Sequence, residues 1–516
     1  MFNTILNFFE KIDIKYYLAS FVAGFGMMTL ELTASRVVAP MVGSSVYTWT
    51  SVIGVVLLGS ILGNYLGGYL IDKYQSKKII FIFCFLISIF VLFIPILSQN
   101  LLIIISSQFS VVSIIIFICL ILFFLPSLFI GTIYPCLLKL KSKETNNLGI
   151  TSGSLSAFWS LGSIIGTVLT GFVFIGFWGS FKTLLGVAII FFLLGLFFLE
   201  KLKPMILFFF IFVIFFVFSL FFLNSNKYLV NKETNYYALK VVDSEASFLG
   251  RVRTLFLDFD SHSIESLENK PLHIYPESVP IFKELKNDTK DILVIGGGAY
   301  TIAKNFSDLF LDSNVEVLEI DPEVKKVAEE YFNLKKYPIK TIISDGRFYL
   351  TNSKNNYDLI FEDAFNSFIS LPWHLTTQEF NQLAKEHLNK DGVYAVNFIS
   401  AFEGENSLFF QSMLKTFSQT FPNYYILSFG NFGFESQNII LVGINGDKKI
   451  SEDQLKNILE KNQDGIWLSS LVIKDKIIPI DKSVVFKDDF APTERMMVPL
   501  VDWYFRSYVN FYYSLF

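Results

Sequence analysis

Cysteine is scarce in this chain. There are 3 among 516 residues, Cys84, Cys119 and Cys136, all in the first half. An odd count confined to one apolar half gives no disulfide framework. The second half has none and so carries no mark of its redox compartment. An excess of one charge is also lacking: 42 Lys and Arg face 46 Asp and Glu, a formal net charge of −4. Without a basic patch, nothing points to a nucleic-acid partner. No cleavable signal peptide is read, because the first apolar segment contains Glu31 and Arg36 and lacks a small-residue cleavage site. No metal site is read either.

Apolar residues are what the chain has in excess, with 59 Phe and a hydrophobic share of 52%. The excess is uneven: residues 16–223 are mostly apolar, and 224–516 have an ordinary mixed composition. Apolar segments of spanning length predict membrane helices near 16–39, 48–71, 79–98, 109–138, 151–177, 181–199 and 205–223. The long region 101–138 leaves room for a hairpin, so seven or eight helices are expected. The expected organisation is a transmembrane helical domain at 1–224, a small β domain at 225–285, a larger mixed α/β domain at 286–500 and a tail at 501–516. Small residues in the second helix (Gly54, Gly59, Gly63, Gly67, Gly68) and the fifth (Gly153, Gly162, Gly166, Gly171) suit close helix packing in lipid; a transport path is the sharper reading. Glu31 and Arg36 stand at membrane depth, as a structural pair or interfacial groups on one reading and functional charges on the other.

Lysines cluster at Lys73, Lys77 and Lys78, at Lys139, Lys141 and Lys143, and at Lys201 and Lys203, which marks those loops as cytoplasmic. Seven helices would then put residue 224 onward outside the cytoplasm, and an even count would keep it inside. The expectation is a multi-pass protein of the inner (cell) membrane, in contact with membrane lipid, with its soluble half in the cytoplasm. A homo-oligomer is left open.

The stretch Asp291–Asp321, DILVIGGGAYTIAKNFSDLFLDSNVEVLEID, organises the second half. An apolar run stops at Gly296, Gly297 and Gly298, a helical pattern follows, and a second apolar run carries Glu319 and ends at Asp321. Glycines turn sharply and let a ligand approach the backbone. A carboxylate about twenty residues on suits ribose hydroxyls. Before this stretch, period-two patterns at Tyr237–Val242, Phe248–Phe259 and Leu272–Tyr275 predict a small antiparallel unit. After it, further strands end in Ser344-Asp345-Gly346-Arg347 and in Glu362-Asp363, a helix is expected at Thr377–Leu388, and Gly392–Phe398 reads as a fifth strand. Alternating strands and helices imply a parallel doubly wound sheet, with ligands bound past the carboxyl ends of its strands. Gly296–Gly298, Glu319, Asp345 and Asp363 all sit at such ends.

The ordered segments ILVIGGGAYT, VLEIDPEV, ISDGRFYL, DLIFEDAF and LPWHLTTQEF resemble the spermidine synthase (polyamine aminopropyltransferase) superfamily. The upstream FLDFDSHSIESLENKPLHIY resembles the β-domain preceding that family's sheet. The apolar half, with ELTASRVVAPMVGSSVYTWTSVIGVVLLGSILGNYLGGYLID, is similar to the membrane half of its fused, multi-spanning branch. The implied fold is a helical membrane domain followed by a Rossmann-like, methyltransferase-type α/β domain with a small N-terminal β unit.

The resemblance also implies roles. Gly296–Gly298 would lie under the nucleoside, Glu319 would hold the ribose, Asp345 and Gly346 would meet the adenine, and Asp363 would be the catalytic base. His262 falls where the family places a cofactor-contacting polar residue, and Tyr275 where it places an aromatic at the pocket. His374 and Glu379 would line the substrate side with Asn366. The local alternatives are caps for Asp345 and Asp363 and an exposed helix start for His374. Glu494, in DDFAPTERM, resembles a C-terminal motif of no assigned role.

Two positions depart from the family pattern: Ala299 stands where an Asp follows the glycines, and Asn366 where D-x-x-D has its second Asp. Both remove negative charge from an amine pocket and put decarboxylated S-adenosylmethionine and putrescine in question, with S-adenosylmethionine as the other co-substrate. Three functions follow. One is a membrane-anchored aminopropyltransferase acting on putrescine or another polyamine. Another is an S-adenosylmethionine-dependent methyltransferase. The third is a polyamine-binding transporter or sensor without turnover.

Overall fold

The computed structural model describes residues 14–105, 109–143, 147–199, 202–223, 228–246, 250–258, 260–268, 275–364, 371–429, 435–447, 449, 451, 453–455, 470–471 and 482–514. The chain divides into two compact units, Met1–Lys227 with Lys232–Asn235, and Tyr228–Asn231 with Tyr236–Phe516.

Apolar helices make up the first unit. Among the described residues, five are long and apolar enough to cross a membrane: Ile14–Val42 (α1), Val46–Tyr74 (α2), Lys78–Ser98 within the helix that ends at Ile105 (α3), Val111–Ser142 (α4) and Leu148–Trp178 (α5). Two others, Ser180–Leu196 (α6) and Leu202–Leu223 (α7), are apolar with shorter qualifying stretches. No hairpin interrupts α4 at Thr132: its N–H bonds to Leu128 O at 3.3 Å, so the rod continues. Glycine sets the closest contacts. A Cβ on Gly63 would stand 2.0 Å from Leu128 O, and one on Gly162 2.0 Å from Phe21 O. The pairs α2–α4 and α1–α5 therefore pack backbone on backbone. That is how helices gain dispersion energy in lipid, where apolar burial contributes little.

The second unit begins with a four-stranded sheet in the order β1 (Val230–Glu233), β2 (Ala238–Ala246), β3 (Gly250–Leu257), β4 (Asp260–Ser266). The third strand expected at Leu272–Tyr275 is instead Asp260–Ser266. Asp258 adopts φ +55°, and Leu257 pairs with Asp260. That tight turn reverses the chain inside a run read as one strand, because Asp tolerates the left-handed conformation a short hairpin needs. Residues 272–274 lie outside the described residues, and Tyr275–Ser278 is a 3-10 turn.

An eight-stranded sheet follows, in the order β12-β10-β11-β9-β8-β5-β6-β7. Its parallel part is β7 (Lys340–Ile343), β6 (Asn314–Glu319), β5 (Asp291–Ile295), β8 (Tyr357–Glu362) and β9 (Leu388–Ser400). The edge strands β11 (Gln437–Ile444), β10 (Tyr424–Ser428) and β12 (Ser470–Leu471) pair antiparallel, so the sheet is mixed. Strands buried on both faces read as continuous apolar runs. Ile292, Val294, Val317, Leu359 and Phe361 form such a core with Phe282 and Phe306. Strand order reverses at β5, between β6 and β8. This is the point where an open α/β sheet leaves a crevice at its carboxyl edge.

Candidate active site

The glycine turn leaves β5 at that crevice. Gly296 has φ +102° and Gly298 φ +52°, both in the left-handed region that glycine occupies without strain. Space also excludes side chains here: a Cβ on Gly296 would stand 2.5 Å from Asp363 O, and one on Gly297 2.8 Å from Glu319 Oε2. The Gly297 N–H donates to Glu319 Oε2 at 3.0 Å, and the Asp321 N–H donates to Oε1 at 2.9 Å. Glu319 is only 6% exposed. Burial pushes its carboxyl up to about 7, against the backbone donors that favour the charged form. The Ala299 N–H donates to Ser263 Oγ at 3.0 Å, so β4 meets the glycine turn through Ser263, the neighbour of half-buried His262. Ala299 itself is fully buried.

Asp363 follows β8. Its N–H donates to Ile295 O at 2.8 Å, which ties it to the end of β5. Tyr275 Oη donates to Asp363 Oδ2 at 2.7 Å, and Asn397 Nδ2 donates to Oδ1 at 2.8 Å. Both donors stabilise the carboxylate, yet burial outweighs them and raises its pKa to about 6. Burial, then the Asp363 charge, push the Tyr275 hydroxyl well above its ordinary range. The side-chain oxygen of Asn397 has no partner among the described residues. Next along β8, Glu362 is wholly buried, accepts from the Tyr394 hydroxyl and has its carboxyl pushed up to about 8, mainly by burial.

Asp345 follows β7 and caps the helix Gly346–Asn352, with Oδ1 accepting from the Phe348 N–H at 2.9 Å. Its Oδ2 lies 2.9 Å from His374 Nε2, and that hydrogen bond is the main reason its pKa falls below the usual value. Gly346 is required by packing, since a Cβ there would stand 2.6 Å from Ile295 Cγ2. Glu379 is exposed and accepts from the Asp488 N–H at 3.1 Å, so it meets the C-terminal segment. Asn366 lies outside the described residues.

The structure thus brings Gly296–Gly298, Glu319, Asp345 and Asp363 to one carboxyl edge and joins Tyr275 to Asp363 and His374 to Asp345. Ser263, Asn397, Arg347 and Asp488 are additions that sequence reasoning missed. Only Asn397 carried a local signal, its place near the end of an expected strand. Among the described residues, no group of three or more His, Cys, Asp or Glu is placed to hold a metal ion.

A spermine/spermidine synthase domain family matches residues 273–432. A probable polyamine aminopropyl transferase of Bifidobacterium longum is 30% identical over 139 residues, 27% of this chain and 30% of that protein. A polyamine aminopropyltransferase of Vibrio vulnificus is 34% identical over 113 residues, 21% of this chain and 38% of that protein. Another, of Buchnera aphidicola, is 25% identical over 289 residues, 50% of this chain and 93% of that protein. The matches span 30% and 38% of the lengths of the first two relatives.

Proposed function

We propose, from the match of residues 273–432 to a spermine/spermidine synthase domain family, the activity of a membrane-anchored polyamine aminopropyltransferase. The donor is a nucleoside sulfonium: decarboxylated S-adenosylmethionine, or S-adenosylmethionine, whose transferred chain would keep its carboxylate. The acceptor is putrescine or another polyamine. The observation that carries this reading is Asp363 at the β5–β8 crevice, held between Tyr275 and Asn397 at 2.7 and 2.8 Å and one strand from the glycine turn.

The chemistry follows from these groups. Glu319 accepts from the ribose hydroxyls, the glycine turn lies under the nucleoside, and Asp345 with Gly346 borders the adenine. The amine nitrogen attacks the carbon beside the sulfonium. The C–N bond forms as the C–S bond breaks, and the electron pair stays on sulfur as a neutral thioether. Asp363 takes the proton released from nitrogen, while Tyr275 and Asn397 orient its carboxylate. The leaving group needs no acid. A carboxyl titrating near 6 is ionised at neutral pH and basic enough to serve. Asn366 belongs to the acceptor side in this reading and His262 to the donor side, while His374 backs Asp345 at 2.9 Å. The five long apolar helices serve as the anchor, with the second unit in the cytoplasm.

One observation favours a second reading. Ala299, fully buried after the glycines, offers no carboxylate to a donor's amino group. That suits S-adenosylmethionine and methyl transfer. Incubating purified protein with each donor and a panel of amines, then identifying the nucleoside product by mass spectrometry, tests both. Methylthioadenosine supports aminopropyl transfer, S-adenosylhomocysteine supports methyl transfer, and neither product leaves binding without turnover.

A further inference from the structure

Arg347 and Asp488 stand 141 positions apart in the chain and meet as a fork. Arg347 Nη1 donates to Asp488 Oδ1 at 2.7 Å, and Nη2 donates to Oδ2. The same Nη1 donates to the His374 carbonyl at 3.0 Å, and His374 Nε2 faces Asp345 Oδ2 at 2.9 Å. Asp488 is held from other sides as well. Thr377 Oγ1 donates to its Oδ1 at 2.8 Å, and its N–H donates to Glu379 at 3.1 Å.

The chain leading to Asp488 is itself fixed. The Gln378 N–H donates to Phe486 O at 2.9 Å, the Phe486 N–H donates to Thr416 Oγ1 at 2.9 Å, and the Val484 N–H donates to Ser412 Oγ at 3.2 Å. Phe486 is fully buried, 5.9 Å from the Phe409 ring. A half-exposed ion pair contributes little to stability as such. This one differs in what it links. Arg347 follows Gly346 at the start of the helix after β7, and its guanidinium bonds a backbone carbonyl of the residue that faces Asp345.

We propose that segment 484–490 is a positioning strap: Asp488 holds Arg347, Arg347 holds the His374 carbonyl, and His374 orients Asp345 on the nucleobase side of the site. The strap sets affinity for the nucleoside and leaves the chemical step alone. The inference rests on the reading of Asp345 given under the proposed function.

The test uses the full chain in detergent micelles. Calorimetry with methylthioadenosine gives nucleoside affinity, and steady-state kinetics separates donor KM from kcat. Asp488→Asn, which keeps shape, and Arg347→Met should each weaken nucleoside binding about tenfold, the worth of roughly one hydrogen bond. Donor KM should rise to match, with kcat within about twofold, as expected when only ground-state binding is lost. Arg347→Lys, which keeps the charge and one donor but not the fork, should fall between the parent and Arg347→Met. Glu405→Gln, in the exposed Lys482–Glu405 pair, is the control and should change nothing. Unchanged affinity in folded Asp488→Asn overturns the strap, as does a fall in kcat at constant KM. If Arg347→Met fails to fold, Asp488→Asn and Arg347→Lys decide alone. If the parent chain binds no methylthioadenosine, the nucleoside reading falls and the strap with it.

Discussion

Replacing Asp363 by Asn removes the proposed base and changes little else. The substituted amide keeps the shape of the carboxylate. Its oxygen still accepts from Asn397 Nδ2, now 2.8 Å away, and its nitrogen donates to Tyr275 Oη, whose hydroxyl turns to accept. Loss of a positioned base costs roughly 10²–10⁴-fold in rate, which is about 3–5 kcal/mol of barrier. Nucleoside affinity should not move, because Glu319 and the glycine turn hold that part of the donor. The pH profile is the sharper readout. Burial holds the Asp363 carboxyl near 6. The active form is the ionised one, so kcat/KM of the parent should fall about tenfold per unit below that pH. The variant has no such limb. Its residual rate should climb with pH toward the alkaline range, where free amine is already neutral. Stopped assays at saturating donor from pH 5 to about 10 measure both curves. A variant that turns over like the parent, or that keeps the limb near 6, refutes Asp363 as the base.

Glu319→Ala should weaken methylthioadenosine binding by roughly 1.5–3 kcal/mol, the worth of a hydrogen bond to a charged group. Because burial raises the Glu319 carboxyl to about 7, parental affinity should increase as pH passes through that value, and equal calorimetric affinities for parent and variant would remove the ribose assignment. Glu362 bears on stability: its carboxyl, raised by burial to about 8, favours the fold while neutral. That stability is fully present below its unfolded pKa and is lost as pH rises from about 4.5 through 8. Relative to Glu362→Gln, the parent's Tm should therefore decline over that window and level off above it; parallel Tm profiles would contradict this. A reporter fused after Phe516 should read cytoplasmic, and a periplasmic signal would separate the second unit from intracellular nucleoside chemistry.

The strand ends were legible because each is a local signal. An apolar run that stops at glycines or at a carboxylate marks the edge of a buried parallel strand, and Gly296–Gly298, Glu319, Asp345 and Asp363 all follow that rule. The partners of those residues were not legible. Tyr275 Oη and Asp363 are 88 positions apart, and Arg347 and Asp488 are 141 apart; no period or spacing links them. Ser263 was hidden by a wrong strand boundary, since the turn at Asp258 depends on one residue's left-handed backbone. The mixed character of the sheet was hidden for a related reason: an apolar run such as β11 reads the same in either direction, and its antiparallel pairing with β9 is set by packing.

Transfer of the aminopropyl carbons is the central claim, and following those carbons tests it most directly. Decarboxylated S-adenosylmethionine labelled differently in its methyl and aminopropyl carbons is incubated with the full chain and putrescine, and the amine products are resolved by NMR. The account predicts aminopropyl label bonded to the amine nitrogen and methyl label retained on the thioether nucleoside. Methyl label on the amine, with the aminopropyl chain left on sulfur, would contradict it.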